Sequence, residues 1–425
     1  MKKFKVCIAT ALIIACSSCA LEQEPVNDEL LRNDDLEKYV YVSIDEARQT
    51  LEEFVLLFRE NSRSSECNEI KIANSYSKAI KLHASRSENS DSSYIHIFNF
   101  EDNNGFAIMS GDKRVCPVLA FVENGNLLEN EEVENPGFAI FLEGLAEYYN
   151  NSIVGFVDEK SRATVTRPTE ITISNKANCK VKWNQSGDPY NNLSPIIDGL
   201  KAPAGCVPVA CAQLMSIYSH PQKYNSSTYT WSEMTKFANG YNCSSSAKSQ
   251  ISDLLFQLGK SGNLGVSYGL SGSGAKIEDI PQTLRNFGYS NGGRKCDYSE
   301  KDVVNEIGAG YPVIISGFRT KHENKILGIT INSSYRDGHA WIADGYAKFF
   351  KTVDVVDENG RILSSTWYTT YYIRCNWGWG GQYDGYFLSG SFHPSANPSF
   401  PDNYNGRAED YNYRYRVENV IGIRK

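Results

Sequence analysis

Methionine and histidine are scarce in this 425-residue chain, with four and six copies. Any acid–base role for an imidazole therefore has few candidates. No block of basic residues and no stripe of aromatic and basic residues occurs. With a net charge of −7 and a pI near 5.6, this argues against a nucleic-acid partner. Outside the first twenty residues no CxxC pair is found, so neither a zinc site nor a dense disulfide framework is suggested. No metal or organic cofactor is implied. There is also no apolar run long enough for a stable membrane span. Tyrosine (26) and glycine (33) are plentiful instead, a mixture suited to strands and loops. The length exceeds one ordinary core and favours two domains.

The chain opens MKKFKVCIATALIIACSSCALEQEP. Three lysines (Lys2, Lys3, Lys5) precede a short apolar run, which ends in small residues and cysteines. This is the pattern of an export signal. LIIAC resembles a bacterial lipobox with Cys16 as the acylated residue, and Cys19 is the second choice. A plain secretory signal cut after a small residue is the alternative. The expected parts are a signal with lipobox over 1–19 and an acidic tether over 20–40, the tether solvated and the protein held at the cell envelope or surface by lipid. The eight other cysteines are spread singly, and which of them pair in an exported protein is left open.

Residues 41–59 read as an amphipathic helix with Ser43 as N-cap. Strands follow at 94–100, 106–110 and 115–122, the first two joined by the turn Asn103-Asn104-Gly105. A second helix is expected over 138–153. Residues 41–156 thus form a small α+β unit. The stretch 157–178 is polar, contains Pro168 and lacks helical period, so it reads as an exposed, protease-sensitive linker. Beyond it, over 179–425, helices are expected at 206–219, 246–259, 275–287 and 301–310. Strands are expected at 311–318, 339–347, 366–378, 386–389 and 413–423, the last closing the sheet. Helices first and antiparallel strands last is an α+β order.

The chemistry concentrates at PAGCVPVACAQLMSI (203–217). Gly205 permits a tight turn, and Pro208 falls in the first helical turn, where a missing N–H costs nothing. Cys206 therefore stands at a helix N-terminus. The dipole and free N–H groups there favour a thiolate with a depressed pKa. Cys211, more than a turn further in, suits an inert buried thiol. Helix position alone does not separate a nucleophilic Cys206 from a structural one. A nucleophile needs a base. His220 is about 20 Å away at the other end of the same helix, and His322 lies in a charged segment. His339 opens a strand after Asp337-Gly338, 133 residues beyond Cys206, a separation in the papain-like range. Asn376, in NWGWGGQYDGYF, could accept the Nδ1–H of that imidazole, with Trp377 covering the bond; NWGWGG read alone is equally an aromatic turn. The oxyanion donors would be the Cys206 amide and the side chain of Gln185 in WNQ, which could also be a loop amide without a role.

Together these segments resemble the streptopain family of papain-like cysteine peptidases. WNQSGDPYN, GCVPVACAQLM, GYPVIISG, GHAWIADGY and NWGWGGQYDGYF occur in the family's order, and GFAIMSGDKRVCPVLAF is similar to its propeptide. The resemblance spans about residues 40–425. It implies an α+β, papain-like catalytic domain preceded by an inhibitory pro-domain, and an endopeptidase made as a zymogen. Cys206 would be nucleophile and His339 base, with Asn376 orienting, Trp377 shielding and Gln185 in the oxyanion hole. It further implies activation by a cut near Lys160, Arg162, Arg167 or Lys176, release of the catalytic part, and preference for an apolar residue second before the scissile bond. Partners are then protein or peptide substrates and the chain's own pro-domain. Pro208 and Val209 stand where Ala and Thr are common. The stretch from Arg319 to Asp337 is longer than in the family, which bears on substrate preference. Two other readings use the same residues differently: a binding lipoprotein on a peptidase fold, and acyl transfer to an amine instead of water.

Overall fold

The structure is a computed structural model that describes residues 41–61, 71–81, 92–154, 164–318, 325–331, 338–356, 362–393 and 417–425. The expectations for the signal, Cys16, Cys19 and the tether lie outside the described residues, as do Lys160 and Arg162.

The N-terminal unit contains α1 (Ile44–Asn61), β1 (Ile72–Lys81), β2 (Ser92–Phe100), β3 (Phe106–Ser110), β4 (Val118–Val122) and α2 (Pro136–Val154). The C-terminal unit follows with β5 (Thr164–Ser174), α3 (Cys206–Tyr218), α4 (Ser245–Gly259), α5 (Ile280–Asn286), β6 (Asn291–Asp297), α6 (Glu300–Gly308), β7 (Val313–Gly317), β8 (His339–Val356), β9 (Ile362–Asn376), β10 (Gly385–Leu388) and β11 (Val417–Arg424). A reciprocal cap starts α1. The Glu46 N–H donates to Ser43 Oγ (3.2 Å) and the Ser43 N–H to Glu46 Oε2 (2.9 Å), satisfying two helix-end donors at once. The helix then buries Ala47, Leu51, Phe54, Val55 and Phe58, one stripe at helical spacing.

The two units share one eleven-stranded sheet, ordered β1-β2-β3-β4-β10-β9-β8-β7-β11-β6, with β5 paired to β8. They join where β4 runs antiparallel to β10, with Val122 opposite Gly385 and Phe121 opposite Tyr386. Aromatic packing follows the same seam. Phe54 stacks on Phe349 with centroids 4.5 Å apart, Phe58 meets Tyr386 edge-on at 4.9 Å, and Phe141 meets Phe387 at 4.8 Å. Each fully buried aromatic of this kind contributes about 2–3 kcal/mol. A second core packs α3 and α4 against Ile314, Ala340, Ile342 and Val420 of the sheet.

Three features depart from expectation. The stretch 157–178 is not linker throughout, because β5 pairs with β8 from Thr164 to Ser174. Its β-branched residues fit a strand, and the ladder shifts register between Phe350 and Lys351, beside Pro168, as a residue without an N–H requires. The polar stretch 62–92 contains β1, an edge strand paired to β2 that places Ile72, Tyr76 and Ile80 against the core. Finally, β11 does not close the sheet: it lies between β7 and β6.

Candidate active site

Cys206 is the first residue of α3, as its sequence suggests. Gly205 before it has φ +97°, and a Cβ there would come within 2.8 Å of the Ser273 carbonyl, so both conformation and space demand glycine. Cys206 is half-buried, and the backbone N–H groups of Ala340, Val207 and Cys206 itself favour its thiolate. The Ala340 contact brings the start of β8, and so His339, beside a residue 133 positions earlier. Burial pushes the Cys206 thiol up, against those N–H groups. The depressed pKa expected from helix position is thus not met in this state, because desolvation of the thiolate outweighs the helix end. Cys211 is buried and its thiol is also pushed up by burial. The described cysteines from Cys116 to Cys375 are all free thiols.

His339 and Cys206 share no hydrogen bond. His339 is instead 97% buried, with its Nε2 2.6 Å from the Trp377 carbonyl. The carbonyl can only accept, so Nε2 carries the proton and Nδ1 keeps the lone pair. The ring stands 6.2 Å from Trp341 and 6.3 Å from Trp379. Burial pushes this imidazole down from 6.5 to about 4. In the full chain carrying Cys206→Ala, the His339 ring resonances should therefore stay neutral through pH 6 and titrate near pH 4. NMR titration checks this, and a midpoint of 6.5 would contradict the burial.

Asn376 makes its hydrogen bonds elsewhere than to His339, which corrects the expected hydrogen bond. Its Nδ2 donates to the Val181 carbonyl (2.8 Å) and its Oδ1 accepts the Gly378 N–H (3.1 Å). The amide braces a turn in which Gly378 and Gly380 have φ +66° and +69°. The Gly378 N–H belongs to the peptide unit whose carbonyl receives His339, so Asn376 reaches the imidazole one peptide removed. Trp377 is fully buried, packed on Trp341 (5.0 Å) and Phe387 (4.9 Å), and its Nε1 donates to the Tyr383 carbonyl. Its backbone, and not its ring, makes the hydrogen bond with the histidine.

Gln185 is held by its main chain. Its carbonyl accepts the Ala204 N–H (2.7 Å), and the Trp183 N–H donates to Gln213 Oε1 on α3 (3.1 Å). Its side-chain Nε2 is buried without a hydrogen-bond partner. An unpaired buried amide costs about 1–3 kcal/mol, a cost with a purpose if the group waits for a substrate oxygen.

The N-terminal unit seals this site. A Cβ on Gly137, at the start of α2, would lie 2.4 Å from the Trp377 ring and 2.8 Å from the His339 ring. Ile140, one turn on, packs against Gly317, which pairs with His339. Further along the seam Glu123 forms an ion pair with Arg374 (2.8 Å), whose other side binds Asp344 (2.8 Å). A cavity of about 620 Å³ opens along the seam beside Tyr298 and Tyr371, and neither Cys206 nor His339 lines it.

Residues 183–387 match the model of the Peptidase C10 family, and residues 39–149 match that of the Spi protease inhibitor. Over residues 183–387 the chain is thus similar to peptidases of the C10 family. Streptopain of Streptococcus pyogenes is 27% identical over 346 residues, covering 72% of this chain and 76% of its own length. The thiol protease/hemagglutinin PrtT of Porphyromonas gingivalis is 23% identical over 366 residues, covering 77% of this chain and 36% of its own. A prointerpain A fragment of Prevotella intermedia superposes with a TM-score of 0.51 at 19% identity, covering 82% of this chain and 99% of the fragment. The fold is therefore papain-like and α+β. The chain is a cysteine-type peptidase with an inhibitor-like pro-domain, a zymogen.

Sequence reasoning missed Gly137, Trp341, Trp379, Glu123 and Asp384. Of these, Trp341, Trp379 and Asp384 lay inside segments singled out for the site, while Gly137 and Glu123 did not. Nothing in QYDGYF indicates that its one acid is buried.

Proposed function

We propose that this cysteine peptidase is an exported endopeptidase that works through Cys206 and His339. The supporting observation is that the Ala340 backbone lies close enough to favour the Cys206 thiolate, which puts the imidazole one residue from the thiol. Once the pro-domain leaves, the lone pair on Nδ1 would take the Cys206 proton. The thiolate would attack a peptide carbonyl, the oxyanion would rest between the Cys206 N–H and Gln185 Nε2, and water would release the acyl-enzyme. Asn376 and Trp377 would hold the histidine through the Trp377–Gly378 peptide. The apolar Ile140 packed at Gly317 supports a cleft that accepts an apolar side chain near the scissile bond. Export rests on the basic and apolar start of the sequence, and a lipid anchor on Cys16, or on Cys19, would keep the peptidase at the envelope until cutting frees it.

The activating cut belongs between 155 and 163, at Lys160 or Arg162. Arg167 lies opposite Thr352 within the β5–β8 ladder and Lys176 Nζ donates to the Gly308 carbonyl; a paired strand resists a protease that needs an extended, free chain. The pieces would then be a pro-domain ending at Lys160 or Arg162 and a catalytic part that keeps β5.

The test is the intact mass of the full chain under reducing conditions, with and without prior iodoacetamide treatment. Loss of about the first 150–165 residues only without iodoacetamide is expected. Equal cutting in both samples would mean that a foreign protease made the cut. In the same experiment Gly137→Ala should process about ten-fold faster, since its methyl has no room against Trp377 and His339. Both chains leave the same catalytic product, so an unchanged rate would remove Gly137 from the seal.

A further inference from the structure

The carboxyl of Asp384 is almost completely buried in the turn that follows Trp377. Its Oδ1 accepts the Trp377 N–H at 3.0 Å, and its Oδ2 is buried without a partner. The same tryptophan offers its carbonyl to His339 Nε2. Asp384 and the histidine thus hold the two polar ends of one residue's backbone. Asn376 holds the next N–H along, and the turn itself is threaded by Trp377 Nε1 on the Tyr383 carbonyl. The charged groups near the Asp384 carboxyl are Arg374, Lys182 and the pro-domain's Glu123. Glu123 also donates its backbone N–H to the Asp384 carbonyl (2.8 Å), so the pro-domain holds the residue that holds Trp377.

A buried carboxyl with an idle oxygen is a poor choice for bracing a turn, since an asparagine or a backbone group would do so at lower cost. Its value lies in rigidity where 2.6 Å separates an imidazole from its acceptor. We propose that Asp384 is a positioning residue for His339, acting through the backbone of Trp377. This rests on the reading of His339 as the base. Asp384 does not touch substrate. It fixes the acceptor that keeps the proton on Nε2, and so keeps Nδ1 free and aimed at the thiol.

The experiment uses Asp384→Ala, Asp384→Asn and Asp384→Glu in full chains, each cut by a trace of mature wild type and counted by active-site titration. Wild type and His339→Ala are run beside them. The readouts are per-site kcat and KM on a short peptide, and the pH dependence of Cys206 alkylation by iodoacetamide. Wild type should show fast alkylation persisting well below pH 8, the mark of a thiolate–imidazolium pair, and His339→Ala should lose it. Asp384→Ala should lower kcat about 30- to 100-fold, leave KM within about three-fold, and move the alkylation limb up towards the ordinary thiol range. Asp384→Asn, which keeps an acceptor for the Trp377 N–H, should restore kcat to within about five-fold. Asp384→Glu, with its carboxyl displaced by a methylene, should not.

A structural role alone would lower the titrated amount of enzyme or its melting temperature, with per-site kcat and the limb unchanged in Asp384→Ala. That result overturns the proposal. If Asp384→Ala yields no folded enzyme, Asp384→Glu decides: wild-type kcat and limb there overturn it too. A wild type whose limb is the same as that of His339→Ala sinks the dyad and this proposal together, and is told apart because the failure then appears without any change at Asp384.

Discussion

Cys206→Ala should give a folded full chain that no longer cuts an unstructured protein, with kcat/KM lower by about 10⁴- to 10⁶-fold. The magnitude follows from the roles of the groups around it. In the proposed mechanism the imidazole, the Gln185 amide and the helix end would all act on the sulfur or on the acyl group attached to it, so none would have anything to do once the sulfur is gone. Stability should change little. Cys206 is only half-buried, and nearby backbone N–H groups, those of Ala340 and Val207 among them, favour its sulfur as an acceptor. Losing an acceptor costs about 1 kcal/mol, well inside what a chain of this size tolerates. Initial rates after trans-processing by a trace of wild type, followed by removal of that trace, measure the loss. Cys211 could not substitute, because it is enclosed in α3 and its thiol is pushed up by burial. Full activity in this variant would reassign the chemistry away from α3.

The second large effect is at Gln185. Gln185→Ala should lower kcat about 10²- to 10³-fold with KM within about three-fold, because the amide is needed when negative charge gathers on the carbonyl oxygen and little before. Its effect on the resting zymogen has the opposite sign. Nε2 is buried without a partner, so removing it relieves an unmet donor, and the melting temperature should hold or rise. Few substitutions both stabilise a chain and disable it, and when one does, the site was carrying strain for its task. A Gln185→Ala variant with unchanged kcat would return Gln185 to the role of a loop amide, and a fall in melting temperature would say that the amide has a partner in the resting protein.

How much of this could be read beforehand varies with the kind of interaction. The helix at Cys206 was legible because glycine, cysteine and proline in that order mark a turn followed by a helix start. His339 was legible because few histidines compete and one of them opens a strand. The contacts of Asn376 were not, since an amide's choice among Val181, Gly378 and His339 depends on a few tenths of an ångström in a folded turn. For β1 and β5 the difficulty is different. Both are edge or inserted strands that put only a few apolar residues, such as Ile80 and Ile173, against the core, too few to show as a period in a polar sequence. Least legible was the seal at Gly137, where the informative fact is a missing side chain.

The single sheet that runs through both units sets how latency ends. A cut between β4's unit and β5 breaks one covalent link but leaves the β4–β10 ladder, the aromatic seam and the Glu123–Arg374 pair in place. What changes is the concentration term that holds the partners together. Tethered, the inhibitor is present at an effective millimolar level; once cut, its level is only that of the free fragment. A nicked molecule in a crowded pool would stay silent, while one that drifts into open fluid would wake. The fragment left behind would also keep a matching edge for β10, able to add its strand again. Such a peptidase would be armed by cleavage and fired by dilution, and the onset of activity would record distance from its source.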